Sequence, residues 1–417
     1  MLFYDFLKEG FDFYFQEFKK KNINNYDKKY HTNYISIKEF EKDIKVNSEN
    51  IFNSIKNNNY KFQSLYPIVI ENKKELNKKP RLICIPTVRD RLIQMILIYY
   101  ISIHLKNELA VLKSQDFSVS GVGILKARQK AKDLRNTKPY VLKTDISSFF
   151  DNIDRAKLLN EIKDVMPPDI LYLFQSIIYC DPSIPYEYNK DYKKLIYSKL
   201  RKGVRQGMPI SPLLASFYLN DFDEWLIKKK YKHVRYADDL IFFLDSEKQC
   251  KEVYREVSQE LLKLNLTLPT LEENTKTQII SPKETVNFLG LDLRYENEKY
   301  NWYIPPHVIE NVKYNLLHLT NIQNNLKMKL NFSKTISRME QIISGYQHCY
   351  SDADSLNLKD FNKILILEKQ KAINLLFKNL GIDISTVHSQ YLKYLYIVYD
   401  IWLLVNRGIF ILFMDSE

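Results

Sequence analysis

The chain has 417 residues, of which 45% are hydrophobic, and it carries a formal net charge of +12 at pH 7. This composition excludes a disordered chain, and the length exceeds one ordinary core, so two or three structural units are expected. The basic excess is consistent with a polyanionic partner and equally with a solvated, lysine-rich surface.

The cysteines and the N-terminal segment bear on cellular location. Cys84, Cys180, Cys250 and Cys349 form no CxxC pair, which argues against a zinc site and is typical of a reducing compartment. The N-terminal segment is interrupted by acids and lacks both a basic start and a small-residue cleavage site. We therefore expect a cytoplasmic protein without a signal peptide.

Two apolar stretches require a test as membrane spans. Residues 91–105 are fewer than the ~20 that a span requires, so they predict a buried helix. Residues 391–414 are long enough but carry Lys393, Asp400 and Arg407, and such charges are costly inside a bilayer. We expect no membrane association. The C-terminal stretch predicts a buried or interface-forming helix that would allow the chain to form oligomers.

The N-terminal part of the chain predicts helices and then a β-hairpin. Residues 1–60 are helical in pieces, with Ile51, Phe52 and Ile55 at helical spacing, and the polar run 22–33 predicts a loop. Residues 66–87 alternate two short strands with a polar turn, as in a hairpin. The long apolar helix follows.

The middle of the chain alternates strands, turns and one long helix. Residues 140–143 predict a buried strand that leads into Asp145. A glycine-containing loop precedes a helix that Ser211 is expected to cap, with Pro212 in its first turn. One face of this helix is apolar and consists of Leu214, Tyr218, Phe222 and Trp225.

The later segments predict two further strand pairs and then helices. Residues 233–245 form two apolar arms around a short turn, and residues 286–295 predict another pair. After Pro305 and Pro306 the pattern is helical, so a domain boundary is expected near residue 304.

The acids Asp238 and Asp239 stand together inside an apolar segment, and Asp145 ends a β-like run. If the two strands are neighbours, three carboxylates crowd one sheet edge, which divalent cations would neutralise. Oxygen ligands favour Mg²⁺ or Mn²⁺ over zinc, and two such ions can clamp a phosphoryl displacement. Adjacent strand residues face opposite sides, so the paired acids are equivalent ligands only if the turn rotates one. A surface hairpin with two exposed acids is the alternative.

Six segments occur together in the order of a known family. Residues 236–239, Tyr-Ala-Asp-Asp, match a metal-binding turn, and residues 143–154 resemble the first catalytic segment. Residues 203–220 are similar to the template and nucleotide segment, and residues 79–94 to the basic fingers strand with its helix. Residues 274–280 and 288–293 resemble the segments before the thumb. The chain thus resembles the bacterial reverse transcriptases, related to group II intron, retron and phage-defence enzymes.

The resemblance implies an α+β, right-hand polymerase fold with fingers, a palm of antiparallel sheet plus helices, and a helical thumb. The implied boundaries are an N-terminal helical extension at 1–60, fingers at 61–139, palm at 140–154, a fingers insertion at 155–200, palm and primer grip at 201–304, and a helical thumb with the C-terminal region at 305–417.

The resemblance also implies the reaction, in which a primer 3′-hydroxyl attacks the α-phosphate of a dNTP under the direction of an RNA template. Asp145 and Asp238 are implied to hold two Mg²⁺ or Mn²⁺ ions, with Ile146 and Asp239 also among the metal ligands and Asp239 near the primer end. Lys276 matches a lysine that could protonate the leaving pyrophosphate, so it joins the three acids as a catalytic residue.

The implied nucleotide and primer contacts come from four segments. Phe150 matches the residue whose ring would clash with a ribose 2′-hydroxyl, and its neighbour Phe149 is expected in the core because the two face opposite sides of an extended segment. Arg81 and Arg89 match triphosphate contacts, for which a guanidinium fork is suited. The remaining matches are the nucleotide-binding residues Gln206 and Gly207, and the primer-grip residues Phe288, Leu289 and Gly290.

The subfamily is indicated by absent features. The sequence shows no zinc-type or His-Asn-His endonuclease and no retron-type segments, and Gln-Gly-Met-Pro-Ile-Ser-Pro at 206–212 is intact. The nearest class is therefore the stand-alone, anti-phage reverse transcriptases, which copy RNA into cDNA, here from a dedicated structured noncoding RNA. The alternatives are a template-independent or protein-primed DNA polymerase of an abortive-infection system, and a non-catalytic nucleic-acid-binding scaffold.

Overall fold

The computed structural model describes residues 2–22, 25–29, 34–71, 80–119, 123–272, 275–328 and 330–381. The chain divides into two compact units, Met1–Glu284 and Thr285–Glu417.

The first unit begins with helices and a hairpin, in the predicted order. Its elements are α1 (Phe3–Lys21), α2 (Ile37–Lys42), α3 (Ile44–Lys56), β1 (Tyr66–Ile70), β2 (Arg81–Ile85), α4 (Val88–His104), α5 (Lys106–Gln115) and α6 (Ile124–Thr137). Strands β1 and β2 are antiparallel, with Ile68 opposite Ile83, as the sequence predicts. Helix α4 is the predicted buried helix, and Phe6 of α1 packs edge-on against its Tyr100, with ring centroids 5.3 Å apart.

The rest of the first unit contains the central sheet and the helices around it. Its elements are β3 (Tyr140–Asp145), α7 (Phe149–Asn152), α8 (Arg155–Lys163), α9 (Pro168–Ile178), α10 (Lys190–Lys199), α11 (Ser211–Tyr218), α12 (Asn220–Lys228), β4 (His233–Tyr236), β5 (Asp239–Leu244), α13 (Glu247–Leu262) and β6 (Gln278–Ile280).

The central sheet has the strand order β4-β5-β3-β6, and each neighbouring pair is antiparallel. Strands β3 and β5 lie side by side in its middle, where Leu142 and Phe242 are fully buried. Helix α13 packs against both strands. This is the antiparallel, helix-backed sheet expected for a palm.

The helix after the glycine-containing loop differs from the prediction at its start and in its middle. Ser211 is the first residue of α11 rather than its cap, and its hydroxyl donates to the carbonyl of Arg205 at 2.6 Å. Pro212 stands in the first turn, as predicted. The helix is divided at Leu219, where φ is −95° and ψ is 6°. Of the predicted apolar face, Leu214, Tyr218 and Phe222 are buried, and Trp225 is half-buried.

The second unit combines a small sheet with helices. Its elements are β7 (Val286–Phe288), β8 (Leu291–Glu296), β9 (Lys299–Tyr303), α14 (Pro306–His318), α15 (Ile322–Lys327), α16 (Phe332–Cys349) and α17 (Ser355–Asn379). The N–H of Asp354 donates to the carbonyl of Trp302 at 2.7 Å, and the N–H of Ile304 donates to the Asn357 side chain at 2.9 Å. These bonds tie the sheet to the start of α17. The boundary expected near residue 304 therefore lies inside this unit.

Of the two apolar stretches considered as membrane spans, only the first lies in the described residues, where it forms part of α4. In the described ranges, no helix combines the length and the apolar character that crossing a bilayer requires. The C-terminal stretch at 391–414 lies outside the described residues.

Candidate active site

Strand pairing brings the three predicted acids to one end of the central sheet. Asp145 at the end of β3 stands opposite Asp239 at the start of β5. The N–H of Ile146 donates to the carbonyl of Asp238 at 3.0 Å, so the backbone after β3 is joined to the turn between β4 and β5. The folded chain thus gathers the carboxylates as the sequence predicts.

The turn between β4 and β5 decides how the adjacent acids are presented. Tyr236 pairs with Asp239, which leaves Ala237 and Asp238 as a two-residue turn. Ala237 is in the left-handed region, with φ 54°, a conformation that is unfavourable for a residue with a Cβ. Because Asp238 belongs to the turn and Asp239 to the strand, strand alternation does not force their side chains to opposite faces.

Asp145 is the most deeply buried of the three acids. Its Oδ1 is buried without a hydrogen-bond partner among the described residues, and its Oδ2 accepts from the ammonium of Lys276. A buried carboxylate oxygen without a partner is costly. A cation is already drawn to this carboxylate, and the oxygen-only donor set suits Mg²⁺ or Mn²⁺. The residues therefore fit a divalent ion.

Lys276 occupies one oxygen of the carboxylate that would bind an ion. In the part of the chain that the structure describes, no three His, Cys, Asp or Glu side chains form a metal-binding group. Lys276 contacts the Oδ2 of Asp145. An ion that used both oxygens of this carboxylate would compete with Lys276, whose side chain is 66% exposed.

Two threonines anchor the backbone on either side of Lys276. The Thr277 hydroxyl bonds with the Thr144 hydroxyl at 2.7 Å and donates to the Pro269 carbonyl at 2.8 Å. The Thr275 hydroxyl donates to the Thr270 carbonyl at 2.6 Å. These hydrogen bonds place the predicted lysine beside the carboxylates, with its side chain largely exposed to solvent.

The electrostatics of the acids reflect burial and mutual repulsion. Burial, with the charge of Asp238 added to it, raises the pKa of Asp239 to about 6. Burial also raises the pKa of Asp238, where the charge of Asp145 adds to the effect and the charges of Lys276 and Arg81 oppose it. Two adjacent carboxyl groups with raised pKa values ionise less readily. A divalent cation bound to them would stabilise their charged forms.

The two predicted triphosphate arginines are placed differently. Arg81 is exposed at the start of β2, and its charge acts on Asp238. The Arg89 guanidinium instead pairs with the buried Asp90 at 3.2 Å and lies over the Tyr60 ring, 4.6 Å from its centroid. It also donates to the Lys61 carbonyl at 2.8 Å. The structure brings Arg81 towards the carboxylates, and it engages Arg89 in a cluster of its own.

The two adjacent phenylalanines divide as expected, but for a different reason. Phe149 is buried and Phe150 is half-buried, with ring centroids 5.3 Å apart. The expectation of an extended segment is wrong, because both lie in the single turn of α7, which follows Ser148 at φ 48°. Neighbouring residues point about 100° apart around a helix of 3.6 residues per turn. One ring is therefore in the core while the other reaches the surface.

Gly203 and Val204, which the sequence did not identify as functional, hold the backbone of Phe150 in place. The N–H of Val204 donates to the Phe150 carbonyl at 2.7 Å. Gly203 has φ +60°, and a Cβ there would lie 2.2 Å from the same carbonyl oxygen. Only glycine fits this approach. The signal in the sequence was the glycine that opens the Gly-Val-Arg-Gln-Gly run.

Arg205, between Gly203 and Gln206 in this loop, has a structural role. It is buried, and it donates to Asp181 at 2.8 Å. Asp181 also accepts from Arg155 at 2.6 Å. Arg155 in turn donates to the Gly203 carbonyl at 2.7 Å. These ion pairs anchor the loop that carries Gln206.

The Gln-Gly pair lies against strand β2. The N–H of Cys84 in β2 donates to the Gln206 carbonyl at 2.7 Å. Gly207 has φ +100°, and a Cβ there would lie 2.7 Å from the Cys84 carbonyl oxygen. The backbone of Gly207 therefore closely approaches β2, while the Gln206 side chain is half-exposed.

The predicted primer-grip turn lies in the second unit. Phe288 pairs with Leu291, so Leu289 and Gly290 form a two-residue turn with φ 48° and 87°. Phe288 is buried. The predicted tight turn is present, and its role at a primer stays a prediction.

Comparisons with known proteins agree with this geometry. Residues 70–293 match the family described as reverse transcriptase (RNA-dependent DNA polymerase). Two curated relatives, both Group II intron-encoded protein LtrA, come from Lactococcus lactis subsp. cremoris and its strain MG1363. Each is 29% identical over 140 residues, which is 33% of this chain and 20% of the relative. This chain thus spans about a fifth of the length of these relatives.

Two solved telomerase structures, each in complex with a TWJ fragment of telomeric RNA, are also similar. The Candida albicans structure has 12% identity and a TM-score of 0.37, covering 79% of this chain and 62% of that one. For Candida tropicalis the values are 13%, 0.38, 81% and 64%. Scores this low add no support to the fold.

The matched region covers more than half of the chain and contains all three acids, and the central antiparallel sheet is backed by helices. The predicted family and its right-hand polymerase fold are both confirmed. The chain belongs to the reverse transcriptase family.

Proposed function

We propose that this chain is an RNA-directed DNA polymerase that extends a primer with dNTPs. The observation that carries the proposal is the pairing of Asp145 with Asp239 beside the Asp238 turn, with one buried Asp145 oxygen that has no partner among the described residues. In the reaction the primer 3′-oxygen bonds to the α-phosphorus of the dNTP, and the bond to pyrophosphate breaks. When bound, two Mg²⁺ ions stabilise the charge on the attacking and leaving oxygens.

The acids have separate proposed roles in holding the ions. Asp145 and Asp238 would hold the two ions, and Asp239 would complete the set near the primer end. The N–H of Ile146 donates to the Asp238 carbonyl, so the Ile146 carbonyl is the backbone group of this residue that would bind an ion. Mn²⁺ suits the same oxygen donors.

Lys276 has a proposed role before and after an ion arrives. Its ammonium contacts Asp145 and compensates the charge of this carboxylate. Once displaced from Asp145, the flexible side chain is close enough to the cluster to donate a proton to the leaving pyrophosphate, which general acid catalysis requires.

The proposed nucleotide site lies between β2 and α7. Arg81 binds the triphosphate, a role supported by its exposure and by its effect on Asp238. Phe150 excludes the ribose 2′-hydroxyl, and the bond from Val204 to its carbonyl supports a fixed ring position. Gln206 contacts the sugar. Arg89 contributes by holding Asp90, and its proposed contact with triphosphate has no support beyond the motif.

The template, setting and location are also proposals. The proposed template is a dedicated structured noncoding RNA, the product is cDNA, and the setting is antiviral defence in the bacterial cytoplasm. The net charge of +12 supports an RNA template, and the intact 206–212 segment supports the proposed subfamily. Phe288, Leu289 and Gly290 are the proposed contact with the primer strand, supported by their tight turn.

Primer extension tests the activity. An RNA template with an annealed DNA primer should support Mg²⁺-dependent incorporation of the complementary dNTP, and omission of the template should stop it. Incorporation that ignores the template would instead favour the template-independent alternative. Sequencing of the RNA that co-purifies with the protein would test for a dedicated template.

A further inference from the structure

Three buried charged residues lie directly beneath the catalytic turn. Arg235 and Asp116 are fully buried, and Asp223 is nearly so. Arg235 donates through Nη1 to Asp116 at 2.7 Å and through Nε to Asp223 at 2.8 Å. The three residues come from β4, α12 and the end of α5. They form an ion triad in which one guanidinium serves two carboxylates.

The triad is tightly held by its surroundings. Burial opposes the charge of Asp116, but Arg235 and the hydrogen bonds from Ser216 and Ser118 lower its pKa. The Ser216 hydroxyl donates to Asp116 at 2.5 Å, and the N–H of Ser118 donates at 2.8 Å. A buried ion network of this kind is weak evidence for stability alone, since apolar packing often does as well.

Two members of the triad bind the turn residue itself. The N–H of Ala237 donates to Asp116 at 3.1 Å, and its carbonyl accepts from Arg235 at 3.2 Å. Both backbone polar groups of this residue are thereby fixed, and it is the residue with φ 54°. Strained backbone persists only where its surroundings hold it. Asp238 is the next residue, so the backbone conformation of Ala237 sets the direction in which the Asp238 side chain points.

We infer that Asp116 and Arg235 are positioning residues, which hold Ala237 in its left-handed conformation and so aim Asp238 and Asp239 at the divalent cations. The inference rests on the proposed function, because it concerns the same carboxylates. Partners that orient metal ligands typically change metal affinity or activity about 10–100-fold when they are replaced.

Asp116→Asn in the full chain is the first variant to measure. It keeps the shape of the side chain and removes the charge that Arg235 requires. Arg235→Lys is the second, since an ammonium keeps the charge but cannot reach two carboxylates and the Ala237 carbonyl as a planar fork does. Leu173→Ala is the matched control, because it removes a fully buried side chain from α9 and destabilises the core without touching the triad.

Two readouts do not depend on turnover. Amide exchange in metal-free protein should be at least about tenfold faster across residues 236–239 in both triad variants and unchanged in the control. Mn²⁺ titration followed by electron paramagnetic resonance should give a dissociation constant roughly 10–100-fold higher in the triad variants. Adding Ala237→Gly to Asp116→Asn should recover part of this affinity, because glycine adopts the left-handed conformation without strain.

The outcomes distinguish the positioning role of the triad from the proposed polymerase function. If the triad variants match Leu173→Ala in turn exchange and Mn²⁺ affinity, the triad only stabilises the fold and the inference is wrong. If the unaltered chain neither binds Mn²⁺ nor extends a primer, the proposed function fails instead. Should both triad variants fail to fold, Ser216→Ala removes one bond to Asp116 and should accelerate turn exchange more mildly; unchanged exchange would then overturn the inference.

Discussion

The two ends of the same strand pair, β3 and β5, carry acids in opposite circumstances. At one end Asp145 faces Asp239, and Asp145 is buried with one carboxylate oxygen that has no partner in the part of the chain that the structure describes. At the other end Tyr140 faces Leu244, and the following Asp245 is 54% exposed and paired with Lys138 at 2.6 Å. Both ends belong to the same sheet, so the difference in burial and pairing reflects different roles of the acids at the two ends.

The comparison separates ordinary surface charge from functional charge. An exposed pair such as Asp245 with Lys138 contributes about 0–1 kcal/mol and could be replaced at little cost. Buried acids beside one another lower stability by several kcal/mol when uncompensated. Asp145 is buried and Asp238 and Asp239 are half-buried, and keeping these three acids at one sheet end is expected only where a cation compensates them.

The largest predicted effect comes from removing an acid at the buried end. Asp238→Ala should reduce primer extension at least roughly a thousandfold, because it deletes a ligand for ions that supply several kcal/mol of transition-state stabilisation. The fold should remain, since the change relieves repulsion with Asp145, and circular dichroism checks this. Substantial extension by the folded variant would show that the buried end is not catalytic.

A second prediction tests whether β2 fixes the nucleotide loop beside the buried end. Gly207→Ala would place a Cβ 2.7 Å from the Cys84 carbonyl oxygen, so the loop must shift. A displacement near 1 Å costs on the order of a hundredfold in rate. Gly345→Ala is the control, because its Cβ would meet no atom of the described residues within 4 Å. Equal rates for the two variants would contradict the assigned contact.

The third prediction contrasts the two arginines. Arg81→Ala should raise the KM for dNTP about tenfold with little change in thermal stability, because an exposed charge-assisted contact is lost. Arg89→Ala should instead lower the melting temperature, because it leaves the buried Asp90 without its guanidinium partner. Steady-state kinetics and thermal unfolding of both variants decide. The reverse pattern would assign the triphosphate to Arg89.

The smallest predicted effect concerns selectivity. Phe150→Ala should increase the use of rNTP relative to dNTP, because the ring that clashes with a 2′-hydroxyl is gone. Phe149→Ala should leave this ratio unchanged and lower stability by about 3–5 kcal/mol, as a buried ring does. Competition between the two nucleotides measures the ratio. A shift in Phe149→Ala alone would move the gate to the buried ring.

The sequence predicted what depends on local pattern. The apolar arms around residues 236–239, the alternation at 66–87 and the Pro305-Pro306 break are local signals, and each gave an element that the structure contains. The three acids were associated through the family motif, and their pairing followed from the strand order.

The rest depends on packing that no local pattern encodes. Nothing near Asp116 indicates that it binds the backbone of Ala237, because their contact exists only in the folded chain. Arg205 reads as a surface cation until Asp181 is placed against it. The engagement of Arg89 by Asp90 is likewise tertiary, since it depends on the burial of its neighbour.

The central claim is that the buried end of the β3–β5 pair, and not the exposed end, is a divalent-cation site that catalyses nucleotidyl transfer. The most direct measurement compares Asp145→Ala with Asp245→Ala by Mn²⁺ titration and by RNA-templated primer extension. The account predicts that Asp145→Ala loses both ion binding and extension, while Asp245→Ala keeps both at the level of the unaltered chain. Ion binding and extension that survive in a folded Asp145→Ala variant would contradict it.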